Sequence, residues 1–407
     1  MNCPCRPGNS MPQALADLKI LDLSRVLAMP YCSMMLGDLG AEIIRVERPG
    51  VGDETRHWGP PWVGELSAYY LVTNRNKQCI TVDLKKKEGQ EIIRHLARRS
   101  DILLENFLPG DLAKLNLGYE DIRAINPKII YASVTGYGQN GPYRDLPGFD
   151  FILQAQGGLM SIIGEEEGSP MKVGVAIVDI TAGLFACSAI LAALHYREKT
   201  GEGQYIDMAL LDAQVAWLGN QASNYLVSGK VPRRMGNAHP NIVPYETFKA
   251  KDGIYLALGV GNDNQWKKFC RIAGVEHLMD DPRYVTNPKR VENRKILVPL
   301  LQEVFLQRDS GEWLKLLGQA EIPIGPINTI DRVFADPQVL SREMLVEMEH
   351  PKVGKLKVVG SPMKLSKTPV QYRIPPPLLG EHTESVLREV LGYDKETIAR
   401  LKEAKVI

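Results

Sequence analysis

The sequence predicts an α/β protein in which a large Rossmann-like domain, built on an open parallel sheet, precedes a smaller α+β domain. Three observations carry this expectation. Apolar runs of strand length alternate with helical periods through the first half of the chain, the pattern of repeated βαβ units. At 407 residues and 44% hydrophobic content, the chain is long enough for two hydrophobic cores. The alternation then breaks between Arg233 and Pro244, where the sequence turns basic, proline-bearing and aperiodic, as domain linkers do.

Leu18 to Leu23 reads as a buried strand, Pro30 to Leu39 as a helix with proline in its first turn, and Glu42 to Val46 as the next strand. Strand Cys79 to Leu84, helix Glu88 to Arg98, strand Ile102 to Leu104, a helical turn after Pro109 and strand Ile129 to Ser133 repeat the theme. Because βαβ crossovers cover both faces with helices, the strands are expected to be parallel and buried. A long helix rich in alanine and leucine runs from Asp179 to His195, strand Tyr205 to Ala209 follows, and Asp212 to Val227 reads as one helix ending near Gly229. The small domain is expected to hold strand Ile254 to Leu258 and helices Asn264 to Ala273, Lys295 to Leu306 and Ser310 to Ala320. Short strands around Val353 to Val359 and the Pro375-Pro376-Pro377 run suggest an extended return, and helix Glu384 to Leu391 is expected to pack back on the first domain. The divisions are therefore 17–229, a linker 230–244, 245–335, a return 336–377 and a terminal part 378–407.

A net charge of +1 from 49 basic and 48 acidic residues, well interspersed, leaves no electrostatic footprint for nucleic acid or a membrane surface. No run of about 18 unbroken apolar residues occurs. Met1 to Ala16 reads as a loose tail without a signal-peptide core or transit pattern. The six cysteines show no paired spacing and the seven histidines no ligand spacing, so a metal site is not expected. No Gly-x-Gly-x-x-Gly follows a strand and opens a helix, and no Gly-x-Ser-x-Gly elbow is present, which disfavours a nicotinamide enzyme and a serine nucleophile. Asp179 stands out as a lone carboxylate opening the long small-residue helix. On position alone it reads as a helix cap.

The pattern around it points elsewhere. The run Ile20 to Pro30, with Gly37-Asp38-Leu39-Gly40-Ala41-Glu42 and Val46-Glu47-Arg48-Pro49-Gly50, resembles the opening of family III CoA-transferases. So do Asn74 to Lys77, Glu105 to Gly110, Gly136 to Pro142, Gly148-Phe149-Asp150 and Gly380-Glu381-His382-Thr383, in order over nearly the whole chain. The resemblance implies an acyl-CoA:carboxylate CoA-transferase, most similar to the mitochondrial members that use dicarboxylic acids. It implies transfer from succinyl-CoA or hydroxymethylglutaryl-CoA to an acid such as glutarate, an interlocked homodimer, a matrix location, and no cofactor beyond the CoA thioester substrate. It implies that Asp179 is the residue acylated during turnover. It assigns CoA contacts to Arg25, Val26, Ala28, Arg48, Asn106, Phe107, Lys114 and Tyr137, and a loop shielding the intermediates to Gly259 and Gly261. Glycine at that turn is expected to leave backbone N–H groups free for a ligand. Arg75, Arg233, Arg234 and His239 are candidates for a distal carboxylate. Two alternatives are an α-methylacyl-CoA racemase of the same superfamily and a catalytically silent CoA-binding protein. A racemase has histidine where Phe149 stands, and phenylalanine cannot carry a proton. Asp150, beside it at a helix start, reads as a cap.

Overall fold

The computed structural model describes residues 13–407. The start of the expected tail, with Cys3, Cys5 and Arg6, lies outside the described residues. The chain gathers into two compact units. The first runs up to Leu159, resumes over Val173–Asn220 and takes in Gln338–Ile407; the second holds Met160–Lys172 and Gln221–Pro337. The divisions expected from sequence differ from this at 160–172, a short aperiodic loop that carries no signal of its own, and at 221–229, which fall in the second unit. Within the second unit Arg234 donates to the carbonyls of Glu165 and Gly168, the latter at 2.7 Å, and ties that loop down.

In the first unit the main elements are β1 (Lys19–Asp22), α1 (Ala28–Asp38), β2 (Glu42–Glu47), β3 (Gln78–Thr81), α2 (Lys87–Ala97), β4 (Ile102–Glu105), β5 (Ile130–Thr135), α3 (Asp150–Gln156), α4 (Ile177–Thr200), β6 (Gln204–Ala209) and α5 (Leu210–Ala216). Six strands form one parallel sheet in the order β3-β2-β1-β4-β5-β6, the doubly wound Rossmann arrangement. Every residue of β4 and β5 is buried, which is why these strands read as continuous apolar runs.

Helices cover both faces. On one, Ala28, Met29, Cys32 and Leu36 of α1 share a core with Val178, Ala182, Ala186 and Ile190 of α4. A Cβ on Gly183 would lie 2.5 Å from the carbonyl oxygen of Ala28, so glycine is what lets α4 lie against the start of α1. On the other face, Ile92, Ile93 and Leu96 of α2 meet Val386, Leu387, Ile398 and Leu401 from the C-terminal stretch. That stretch folds as two helices, Thr383–Glu389 and Lys395–Glu403, where the sequence signalled one.

Two further expectations are corrected. The helix read over Asp212 to Val227 is broken: α5 stops at Ala216, and a second helix begins at Gly219, whose φ of +52° interrupts the α-helical path. The long helix α4 starts two residues before Asp179 and ends five beyond His195, closed by Gly201 in the left-handed conformation. By length and composition α4 is apolar enough to cross a membrane. One of its faces is core, and the other exposes Leu184, Phe185, Leu191 and Tyr196.

The second unit holds a three-stranded antiparallel sheet, Ile324–Pro326 beside Tyr255–Gly259 beside Tyr245–Lys249, of which only the middle strand was legible. Helices Asp263–Ala273, Arg294–Phe305 and Ser310–Gln319 close over it. Phe305 stacks on Phe248 and packs against Trp313, with ring centroids 4.7 and 4.6 Å apart.

Candidate active site

The strand order reverses between β1 and β4, and open α/β sheets bind ligands in the crevice beyond the carboxyl ends of the strands at such a point. The turn from β1 into α1 meets the residues after β4 there. Three successive N–H groups of the turn each donate to a side-chain oxygen: Ser24 to Asp22 Oδ1 at 3.0 Å, Arg25 to Asn106 Oδ1 at 2.8 Å, and Val26 to Asp53 Oδ2 at 2.9 Å. Asn106 Nδ2 donates back to the Arg25 carbonyl at 2.7 Å, so its amide pairs with the turn much as a neighbouring strand would. The N–H groups of Leu27 and Ala28 have no acceptor among the described residues. They stand at the positive end of α1 and can stabilise negative charge developing on a carbonyl oxygen.

A cleft of about 270 Å³ at this turn is lined by Arg25, Val26, Leu27, Ala28, Asn106, Phe107, Phe149 and Asp179, among others. Its floor includes Gly136 and Gly148, which pack so closely that a Cβ on Gly136 would sit 2.7 Å from the Gly148 Cα. A second cleft of about 310 Å³ shares Arg25, Glu54 and Phe107 with the first. Leu23, Val46, Val82 and Leu115 give it apolar walls, and Arg48 and Lys85 give it cations. An adenine needs the first kind of surface and phosphates the second. The Arg25 guanidinium stacks over the Phe107 ring at 4.7 Å where the two clefts join.

Asp179 is the third residue of α4, and Ala176 holds the cap position. The cap reading of Asp179 is therefore wrong. The carboxylate of Asp150 does that work instead: its Oδ1 accepts the N–H groups of Val178 at 2.7 Å and Asp179 at 3.3 Å, while its Oδ2 accepts Gln154 Nε2 at 2.6 Å. Asp150 thus caps α4 rather than its own helix α3. The Asp179 carboxylate, half-buried, accepts no hydrogen bond from any described residue. Burial, and after it the negative charge of Asp150, push its carboxyl up to about 7. A carboxylate in that state is poorly solvated, more basic than usual and open on the cleft side. Those are the properties of an activated oxygen nucleophile.

Arg25, Val26, Ala28, Asn106 and Phe107 thus line the cleft that holds Asp179, and Arg48 lines the adjoining one. Lys114 and Tyr137 line neither. Lys114 sits on a helical turn whose Leu115 faces the second cleft, which leaves the lysine side chain 75% exposed and paired with Asp111 at 2.8 Å. The Tyr137 hydroxyl donates to Gln156 Oε1 at 2.5 Å, and its ring packs edge-on to Tyr143. Arg75 does not line the Asp179 cleft: it is buried in a two-pronged pair with Asp38, at 2.9 and 2.6 Å, and borders a separate cleft. Arg233 is exposed. His239 packs against Tyr245 and accepts the Asn241 N–H.

Gly259 and Gly261 lie in the second unit, at the end of strand Tyr255–Gly259, beside an open groove of about 650 Å³. Neither has a positive φ, and neither N–H is free: Gly259 donates to the Pro323 carbonyl and Gly261 to Gln265 Oε1. What glycine provides is space, since a Cβ on Gly259 would lie 3.2 Å from the Tyr245 ring.

Sequence reading missed Tyr69, Lys85, Glu105 and Asp53. Tyr69 follows a proline-rich loop and packs edge-on to Trp58; burial and the charges of Asp179, Asp150 and Asp53 push its phenol up to about 12. Burial pushes the Glu105 carboxyl up to about 7 even though the Ser133 hydroxyl and the Phe107 N–H donate to it, which fixes the turn carrying Asn106 and Phe107. Glu105 ends the fully buried strand β4 and opens the Glu105 to Gly110 run, and nothing local marks the others.

The model of CoA-transferase family III matches residues 15–383. The chain belongs to that family. It is 49% identical over 404 residues to the succinyl-CoA:glutarate CoA-transferase of Homo sapiens, a match covering 99% of this chain and 92% of the human protein. It is 47% identical over 392 residues to the succinate–glutarate CoA-transferase of Agrobacterium fabrum, covering 95% and 96%. A crystal structure described as a CAIB/BAIF family protein from Brucella suis superposes with a TM-score of 0.82 at 43% identity, covering 93% of this chain and 99% of that one. This family III CoA-transferase is therefore an enzyme whose fold has an experimentally observed counterpart.

Proposed function

We propose that the enzyme transfers CoA from succinyl-CoA to a dicarboxylic acid such as glutarate, with Asp179 as the covalent carrier. Hydroxymethylglutaryl-CoA is proposed as a second donor. The observation that carries the reading is the Asp179 carboxylate, free of hydrogen bonds and lining a cleft that adjoins an adenine- and phosphate-suited pocket. The named activities of the human and bacterial relatives support the choice of substrates.

In this reading an Asp179 oxygen attacks the thioester carbonyl while the N–H groups of Leu27 and Ala28 hold the oxyanion. The C–S bond breaks, releasing CoA thiolate and leaving a mixed anhydride. The thiolate then attacks the Asp179 carbonyl carbon, the donor acid departs as a carboxylate, and Asp179 carries CoA as a thioester. Attack by the acceptor carboxylate gives a second anhydride and frees the thiolate once more. Return of the thiolate to the acceptor acyl carbon gives the new acyl-CoA and regenerates Asp179. The groove beside Gly259 and Gly261 is proposed to exclude water from these intermediates. The exposed apolar stripe Leu184, Phe185, Leu191 and Tyr196 on α4 is proposed to be covered by a second copy of the chain, as the family resemblance implies. Sedimentation at equilibrium is expected to give a dimer mass.

The test is intact-mass measurement after incubation with succinyl-CoA. An adduct on Asp179 that hydroxylamine removes is expected, followed by transfer in a panel of mono- and dicarboxylic acceptors that favours glutarate. An unmodified chain that still turns over would overturn the covalent reading. Racemisation would need a second proton carrier in the cleft, and Phe149 occupies that place with an apolar ring.

A further inference from the structure

Val26 is the anomaly of the cleft. Its φ is +65°, a conformation that a β-branched side chain strongly disfavours and that persists only where surroundings impose it. The peptide that enters Val26 is held at both ends: its carbonyl, on Arg25, accepts Asn106 Nδ2, and its N–H, on Val26, donates to Asp53 Oδ2. Asp53 is itself locked on every side. Its Oδ2 also receives Arg45 Nη2 at 2.5 Å, its Oδ1 receives the Thr55 N–H and hydroxyl at 2.8 and 2.5 Å, and its own N–H donates to Glu47 at 2.7 Å. Arg45 is fully buried, held at Nε by Glu47, and its Nη1 finds no hydrogen-bond partner. A buried guanidinium with an orphaned nitrogen is a costly device for joining a strand to a loop. Besides capping the helical turn Glu54–His57 through the Thr55 N–H, the rigid Asp53 carboxylate holds the nitrogen of Val26, which precedes the N–H groups of Leu27 and Ala28 that have no acceptor among the described residues.

We propose that Asp53, anchored by Arg45, is a positioning residue for CoA transfer: it clamps Val26 in the left-handed conformation and thereby aims the Leu27 and Ala28 N–H groups into the Asp179 cleft. Without the clamp, valine relaxes to negative φ and the following peptides rotate with it. The chemistry then loses oxyanion stabilisation, while the cleft for the CoA moiety, which Asp53 also lines, keeps the walls that come from β2, the residues after β3, Phe107 and Leu115. The inference rests on Asp179 being the acylated residue.

Asp53→Asn keeps the size of the side chain and a carbonyl for the Val26 N–H but breaks the charge pair. It is expected to lower kcat about 30-fold or more, with KM for succinyl-CoA changed less than about 3-fold, and to slow acylation of Asp179 in parallel. Val26→Gly placed on top is expected to restore at least about a third of the lost rate in logarithmic terms, because glycine reaches φ +65° unaided. A merely structural role for Asp53 gives no such rescue. Thr55→Val removes one bond to Asp53 and leaves the ion pair, so it carries the same test in milder form if Asp53→Asn fails to fold: a smaller fall in kcat, again relieved by Val26→Gly. Circular dichroism confirms folding in each case. A folded Asp53→Asn enzyme with kcat within 3-fold of wild type, or a deficit that Val26→Gly leaves unchanged, would overturn the proposal. Wild-type enzyme run alongside separates the two readings, since absence of its own Asp179 adduct speaks against the covalent mechanism and not against the clamp.

Discussion

Two helix starts meet the same cleft and are treated in opposite ways. At the start of α4 the N–H groups of Val178 and Asp179 are occupied by the Asp150 carboxylate. At the start of α1 those of Leu27 and Ala28 are left open. A free helix N-terminus beside Asp179 would favour its negative charge and make it a weaker base. Filling that end with a second carboxylate does the reverse. The open end of α1 is then the one able to receive charge that develops during reaction. In the proposed mechanism one helix start raises the basicity of Asp179 and the other receives the charge that its attack would generate.

The largest expected break in this comparison is Asp179→Ala, which removes the nucleophile and leaves both helix starts in place. Transfer is expected to fall by a factor on the order of 10³ or more, with CoA affinity measured by calorimetry nearly unchanged. Equal losses in affinity and rate would show that Asp179 acts through binding.

Removing the charge at the start of α4 should move the nucleophile instead of deleting it. Asp150→Asn keeps an oxygen for the Val178 N–H and abolishes the repulsion, so an acid limb of the kcat–pH profile set by the raised Asp179 carboxyl is expected to shift to lower pH than in the wild type. Asp150→Ala loses the cap as well and is expected to cost about 1–2 kcal/mol of stability in chemical denaturation. An acid limb that stays put in Asp150→Asn would mean that burial alone sets the Asp179 carboxyl.

The same shift makes a stability prediction. An acid whose pKa is raised by folding binds its proton more tightly in the native state, so ionisation destabilises the fold. The penalty is absent below about 4, the ordinary carboxyl range, grows as pH rises to about 7, and is constant above that. Asp179→Asn is therefore expected to be more stable than wild type at pH 8, by on the order of 2 kcal/mol after allowing for the partial exposure of the site, and to lose that advantage at pH 4. Thermal melts at the two values measure it, with mass spectrometry excluding deamidation back to aspartate.

The smallest effect is expected in the second unit. Gly261 has an ordinary φ, and the nearest atom to an added Cβ is the flexible end of Gln265 at 3.4 Å, so Gly261→Val should fold. If the groove excludes water from the intermediates, hydrolysis of succinyl-CoA without acceptor is expected to rise about twofold to fivefold relative to transfer. An unchanged ratio would reduce the glycine turn to the end of a strand.

The sequence by itself determined the layered α/β architecture, because strand and helix periods are local patterns set by burial of one face. It also singled out Arg25, Val26, Ala28, Asn106, Phe107 and Asp179, which the structure brings to one cleft, because they stand in motifs that run in order along the chain. Tertiary structure decided how the carboxylates are used. Asp150 lies 28 residues from the N–H it caps, Asp53 27 from the one it clamps, and Asn106 81 from its partner in the turn. No periodicity encodes such pairings, so Asp150 and Asp179 each read as a cap at the start of its own helix. A hydrogen bond is a property of two positions in space, and only the assembled sheet, with its helices packed on it, brings the residues after β1, β2 and β4 and the starts of α3 and α4 close enough to make these.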